Sequence, residues 1–191
     1  MAKSNSKDIV LIGAGVLSTT FGSMLKEIEP DWNIHVYERL DRPAIESSNE
    51  RNNAGTGHAA LCELNYTVLQ PDGSIDIEKA KVINEEFEIS KQFWGHLVKS
   101  GSIENPREFI NPLPHISYVR GKNNVKFLKD RYEAMKKFPM FDNIEYTEDI
   151  KEIRKWIPLM MKGRENNGGY MAASKIDEGT DVNYGELLSL I

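Results

Sequence analysis

The run Ile9-Val10-Leu11-Ile12, opened by Asp8, is apolar, largely β-branched and of strand length. With no polar residue interrupting it, the pattern predicts a strand buried on both faces, as in a parallel sheet. It stops at Gly13-Ala14-Gly15. From Val16 onward Leu17, Phe21, Met24, Leu25 and Ile28 recur at helical spacing until Pro30 and Asp31 end the helix. A second strand, Asn33-Ile34-His35-Val36-Tyr37, closes on Glu38. The order strand, glycine turn, helix, strand predicts a right-handed parallel crossover.

The periodicity then lapses. Residues 39–58 are charged and polar and end in Asn52-Asn53-Ala54-Gly55-Thr56-Gly57-His58. Gln70-Pro71-Asp72-Gly73 signals a turn. Asp76 fits the N-cap of a long helix whose core stripe is Ala80, Ile83, Phe87, Trp94, Leu97 and Val98, with Gly101 as its C′ residue. A stripe of this kind is core rather than a cofactor box.

A further strand–helix pattern begins near residue 110. His115 to Arg120 reads as a strand, Gly121-Lys122-Asn123 as a turn, and Val125, Leu128, Tyr132 and Met135 as one face of a helix ended by Pro139. Ile144-Glu145-Tyr146 predicts a short strand. Thr147 is the expected cap of a helix reaching Trp156-Ile157. Gly168-Gly169 predicts a loop and Tyr170 to Ala173 an extended segment, while Asn183 and Glu186 have capping-box spacing. The polar residues 1–7 are expected to fray.

Composition narrows the function classes only a little. Hydrophobic residues make up 40% and charged residues 28% of the 191, with a net charge of −5. No basic excess points to nucleic acid. The lone cysteine, Cys62, excludes an internal disulfide and fits a reducing compartment. No secretory signal is expected, since the apolar stretch after Asp8 is short and breaks at Gly13. No segment approaches the roughly 20 apolar residues of a membrane span, so the expectation is a soluble or peripherally attached protein.

Gly13-x-Gly15-x-x-Ser18 has the spacing of a dinucleotide fingerprint, with serine at its third position. Gly13 permits the tight turn out of the strand, and Gly15 removes the side chain that would block a pyrophosphate from the backbone. The helix start offers unpaired N–H groups and partial positive charge to phosphates. Ser18 is small enough for close helix–sheet contact. Glu38, at the end of the second strand, stands where a carboxylate accepts hydrogen bonds from an adenosine ribose. A carboxylate there repels a 2′-phosphate, which favours FAD or NAD over NADP. The small residues Asn53, Gly55, Thr56 and Gly57 offer backbone donors suited to wrapping a ribityl-pyrophosphate chain. A plain surface loop is the competing reading.

Gly13-Ala14-Gly15, Tyr37-Glu38-Arg39, the string Asn52 to Tyr66 and the later string Ser174 to Leu187 together resemble the malate:quinone oxidoreductase family. The similarity runs over almost the whole chain, and the Asn52–Tyr66 string is far more specific than the glycines. The resemblance implies an α/β fold in which an FAD-binding, Rossmann-like domain is interleaved with a substrate domain of D-amino-acid-oxidase type. On that reading residues 1–109 open the FAD domain, 110–180 belong to the substrate domain, and 181–191 return to the first. It implies cofactor contacts from Gly13, Gly15, Ser18, Glu38, Arg39, Asn53, Gly55, Thr56 and Gly57. The implied reaction is an enzymatic oxidation of (S)-malate to oxaloacetate in the tricarboxylic acid cycle, with electrons passed to a membrane quinone. A cytoplasmic location, peripheral on the inner face of the cell membrane, follows from the lipid-soluble acceptor. Family members are substantially longer than 191 residues, so a fragment or truncated product is expected.

His58 is the candidate base or carboxylate ligand, although a histidine bonded to neighbouring backbone is the commoner state. Arg120 is the candidate grip on a malate carboxylate, against an ordinary exposed strand-end arginine. Cys62 reads as an inert buried thiol rather than a flavin tether. His115 lies with Arg120 on the predicted substrate-domain strand, and His35 and His96 show no metal-ligand spacing, so no metal is expected. The alternatives are a flavin-dependent dehydrogenase of another 2-hydroxy acid, an NAD-dependent dehydrogenase sharing only the first βαβ unit, and a catalytically silent fragment.

Overall fold

A computed structural model describes residues 6–164 and 169–191. Its elements in chain order are β1 (Asp8–Ile12), α1 (Val16–Ile28), β2 (Asn33–Tyr37), β3 (Val68–Leu69), β4 (Ile75–Asp76) and α2 (Glu78–Ser100). Then follow β5 (Ile110–Pro112), β6 (His115–Arg120), α3 (Lys122–Met135), β7 (Glu145–Thr147), α4 (Ile150–Trp156) and α5 (Pro158–Met161). The chain finishes with β8 (Met171–Ile176), β9 (Thr180–Val182) and α6 (Tyr184–Leu190). The chain clusters into two compact units: 1–56 with 93–111 and 181–191, and 57–92 with 112–180. The segment 57–92, expected within the first domain, thus groups with the second unit.

In the first unit β1 and β2 pair in parallel, in register from Asp8 with Asn33 to Ile12 with Tyr37. The expectation of a strand buried on both faces needs correction. Ile9 and Leu11 are half-buried, whereas Val10 is 58% and Ile12 86% exposed. The reason is architectural. Among the described residues this sheet has only two strands, so one face of β1 lacks a covering layer. α1 approaches the sheet tightly at Gly22, one turn beyond Ser18. A Cβ there would lie 2.9 Å from Leu11 Cδ1 and 3.6 Å from Ile34 Cγ2. Trp94 and Phe109 meet edge-to-face at 5.5 Å, and both are buried. Asn183 caps α6 by accepting from Glu186 N–H at 3.1 Å, as its spacing predicts.

The second unit is built on the antiparallel sheet β6-β8-β7. β8 is central, and Met171 through Ser174 are all buried. Its alternate residues serve opposite faces, as strand geometry requires. Ala173 and Met171 join Ile153 of α4 and Met161 of α5, while Ala172 joins Val125 and Leu128 of α3. Gln70 to Gly73 make the turn between β3 and β4, with Gly73 in the left-handed region at φ 86°. Asp76 caps α2 through Glu78 N–H at 2.9 Å.

One cap falls elsewhere than expected. Asp149, not Thr147, is the N-cap of α4, accepting from Lys151 N–H. Thr147 Oγ1 instead accepts from Asp149 N–H at 3.0 Å, a small turn that places the cap two residues on. Residues 1–5 of the expected frayed terminus, and Gly168 of the expected loop, lie outside the described residues.

Candidate functional site

The turn from β1 into α1 has the shape that its glycines predict. Gly13 sits at φ 91°, a left-handed conformation that disfavours any side chain, and its N–H closes onto Tyr37 O at 2.7 Å. Gly15 is extended, at φ −89° and ψ 175°, and serves as the N-cap of α1 with no side-chain cap. Ala14 N–H donates to Glu38 Oε2 at 2.8 Å and Val16 N–H to Ser48 Oγ at 3.1 Å. Among the described residues the N–H groups of Gly15, Leu17 and Ser18 have no partner. Such groups at a helix start are free to receive an anion.

A cleft of ≈ 350 Å³ opens over this turn, bordered by Gly13, Gly15, Glu38, Arg39, Ala44 and Ser48. Its size lies at the low end of small-molecule sites, ~300–1,000 Å³, which suits one nucleotide rather than a whole dinucleotide. Ala44 carries an unusual positive φ of 62° and donates its N–H to Ala14 O at 3.1 Å. Strained non-glycine backbone of this kind concentrates at binding sites. Arg39 pairs with Glu46 at 2.8 Å, largely exposed.

The Glu38 carboxylate is held below the usual carboxylate range, first by the Ala14 N–H and then by that of Leu40. It is therefore ionised near neutral pH. Its two bonds occupy one acceptor site on each oxygen, leaving others for ribose hydroxyls. A depressed carboxyl adds stability that is present above its unfolded value and lost as pH falls through the folded one. Glu38→Gln is therefore expected to lower the urea midpoint near neutral pH, with the difference from the parent shrinking as pH falls below the ordinary carboxylate range. A difference that persists unchanged in acid would contradict this.

The small-residue string is placed differently. Asn53 bonds Ser47 O and Asn49 O through its amide nitrogen and accepts from Gly55 N–H, so it folds the loop onto itself. Gly55, at φ 63°, donates no side chain to its contact with Asp181, and its carbonyl receives Val182 N–H at 2.5 Å. Thr56 bridges Asp181. Gly57, in the second unit, has no room for a Cβ against Thr180 and Phe87. Close packing against residues 180–182 accounts for these glycines, and none of the four borders the cleft at α1.

In the second unit His58 is exposed, and Arg120 is exposed at the end of β6. His115 is buried, its Nε2 3.1 Å from Thr180 O. The Cys62 thiol is pushed up by burial, against the smaller opposing pull of the Arg131 guanidinium. Its Sγ lies 3.0 Å from His115 O. A protonated, half-buried thiol is a poor nucleophile.

Two residues of consequence escaped sequence reasoning. Ser48 is buried beneath Gly15 and bonds the first turn of α1; it sits in a polar stretch with no periodic signal. Arg131 is fully buried, donating to Thr67 Oγ1, Ala60 O and Leu61 O at 3.1–3.3 Å. A signal existed for it: position 131 is three beyond Leu128 and four before Met135, on the apolar face of α3.

The sequence profile of the malate:quinone oxidoreductase family matches residues 5–191. A protein of Staphylococcus aureus named "Probable malate:quinone oxidoreductase 2" is 95% identical over 187 residues, which are 98% of this chain and 38% of that protein. "Probable malate:quinone oxidoreductase 4" of Staphylococcus epidermidis is 88% identical over 98% of this chain and 37% of its own length. The chain thus spans well under half the length of these relatives. Among solved structures, L-proline dehydrogenase from P. horikoshii aligns over 97% of this chain and 40% of its own, with TM-score 0.55 and 16% identity. Iminodiacetate oxidase from Chelativorans sp. BNC1 aligns over 95% and 42%, with TM-score 0.59 and 14% identity. At such identities the likeness is one of fold, a mixed α/β architecture as expected from the sequence. With its family profile matched from residue 5 to residue 191, the chain belongs to the malate:quinone oxidoreductase family.

Proposed function

We propose that this chain carries the adenine-nucleotide end of an FAD site in an enzyme that oxidises (S)-malate to oxaloacetate and passes the electrons to a membrane quinone. The observation that carries the reading is the cluster at the start of α1. Gly15, with its unpartnered N–H, and the ionised Glu38 border one nucleotide-sized cleft, and the unpartnered N–H groups of Leu17 and Ser18 follow in the first turn of α1. Phosphate oxygens suit the amides, and ribose hydroxyls suit the remaining lone pairs of the carboxylate. The absence of a side chain at Gly15 leaves the approach open.

Bound FAD would supply a hydride acceptor that can afterwards release electrons to quinone. The alcohol carbon of malate loses hydride, its hydroxyl loses a proton, and quinone becomes quinol. His58 is the proposed base and Arg120 the proposed partner of a malate carboxylate. Asn53, Gly55, Thr56 and Gly57 are proposed to serve the cofactor by fixing the loop that follows the cleft, and Arg39 by bordering it. The reaction belongs to the tricarboxylic acid cycle, and the proposed location is the cytoplasmic face of the cell membrane.

Malate added to the purified flavin-loaded protein should bleach the flavin and reduce a soluble quinone analogue, with 2-hydroxyglutarate much slower. Faster turnover of 2-hydroxyglutarate would reassign the substrate. A colourless preparation that binds NADH would overturn the reading altogether.

A further inference from the structure

In the second unit, the segment of α4 and α5 exposes apolar residues among cations close to them in sequence. The inward positions of these short helices are already taken. Ile153 and Met161 are buried in the cluster that also holds Met171 and Ala173, and Trp156 and Ile157 pack against it. What remains points outward. Leu159 is 89% exposed, the most exposed large hydrophobic residue among those described, and its neighbour Met160 is 49% exposed. Tyr170 is 58% exposed beside the start of β8, with the Lys122 ammonium 6.0 Å from its ring.

The charge along this segment runs against that of the chain. Between Ile150 and Arg164 stand Lys151, Arg154, Lys155, Lys162 and Arg164, with Glu152 the lone acid. That is 5 − 1 = +4 in a chain of net −5. Glu152 is engaged by Lys155 at 2.7 Å. Exposed leucine and methionine in a short helix, flanked on both sides in sequence by lysine and arginine, match the two layers of an anionic bilayer. Acyl chains receive the apolar residues and negative headgroups face the cations.

We propose that exposed Leu159 and Met160, with the flanking cations Lys151, Arg154, Lys162 and Arg164, form the surface by which this protein rests on an anionic membrane. It rests on the proposed delivery of electrons to quinone, because a lipid-soluble acceptor is met at a bilayer. An acidic protein groove would also attract the cations but would not require phospholipid. The surface is shallow, a few side chains deep, so attachment is reversible and sensitive to salt.

The test is co-sedimentation of the purified chain with vesicles of phosphatidylcholine alone and of phosphatidylcholine mixed equally with phosphatidylglycerol. Binding is expected only to the mixed vesicles and should fall as salt is raised. Leu159→Asp with Met160→Asp should weaken it about tenfold, and Lys162→Glu with Arg164→Glu by about tenfold or more. Ile89→Asp, at another exposed apolar position of the same unit, should leave it unchanged. Circular dichroism checks that each variant is folded. All these substitutions spare quinone-analogue reduction in detergent, so loss of that activity in the parent protein indicts the flavoenzyme reading and not the docking surface. Equal binding by the Leu159/Met160 variant, or equal binding to neutral and anionic vesicles, would overturn the proposal.

Discussion

Gly15→Val should lower FAD affinity at least about hundredfold, some 2.8 kcal/mol, while leaving thermal stability almost untouched. The two effects separate because of the backbone at this position. Gly15 is extended, a conformation open to any residue, and an added Cβ would meet Ser48 Oγ at 3.6 Å, an ordinary contact. The fold therefore accepts the side chain. Its methyl groups, however, stand over the unpartnered N–H groups that a diphosphate needs within hydrogen-bond reach. Gly13→Ala gives the contrasting pattern. Nothing lies within 4 Å of a Cβ there, but φ is 91°, so the cost is backbone strain of roughly 1–2 kcal/mol and appears as lost stability. Calorimetric titration and thermal melts on both variants check the pair. A Gly15→Val protein that binds FAD as tightly as its parent would remove α1 from the site.

Arg131→Ala is expected to destabilise the second unit by roughly 2–4 kcal/mol. The guanidinium is fully buried and burial lowers its proton affinity, yet no carboxylate pairs with it within the described residues. Its partners are neutral: Thr67 Oγ1 and the carbonyls of Ala60 and Leu61. Ala60 itself is held at φ 54°, a strained conformation that the paired carbonyl bonds help to fix. Alanine would leave a cavity and orphan those acceptors together. Arg131→Met removes the desolvated charge and keeps most of the volume, so its cost should be less than half as large. Nη1 of Arg131 finds no partner, which is consistent with methionine being tolerated better than alanine. Urea unfolding of the two variants decides the order. If methionine proves more stable than the parent arginine, the guanidinium is a burden to the fold and not a clamp on the Ala60–Leu61 turn.

Much of the architecture was legible because it is written in period and punctuation. β1, α1 and β2 follow from an apolar run, a glycine turn and a helical stripe, and their observed bounds are those the pattern marks. Asp76, Gly101 and Asn183 act through local backbone geometry, so their capping roles survive translation from sequence to structure. Strand burial did not survive it. The run Ile9 to Ile12 reads as buried on both sides, but burial depends on a second layer, and no local pattern records whether that layer is present. The short strands β3, β4, β5 and β9 also went unread, since two or three residues carry no period.

The candidate site shows the same division. Gly13, Gly15 and Glu38 act through turn geometry and charge at fixed spacing, and they border one cleft. Ser48, which completes that cleft, reaches it from 32 residues beyond Val16, a tertiary fact without a local signature. Gly55 and Gly57 illustrate the opposite difficulty. Small residues suit a cofactor's phosphates and also suit tight backbone packing, and here they pack against residues 180–182. Arg131 was readable in principle, as a charged residue out of place on an apolar stripe.

The most direct measurement is titration of the purified protein with FAD, repeated in the presence of excess ADP and repeated again with NADH. Saturable FAD binding that ADP displaces, with no NADH binding, is the predicted result, since the adenine half would occupy the cleft at α1. NADH binding in place of FAD, or FAD binding indifferent to ADP, would contradict the account.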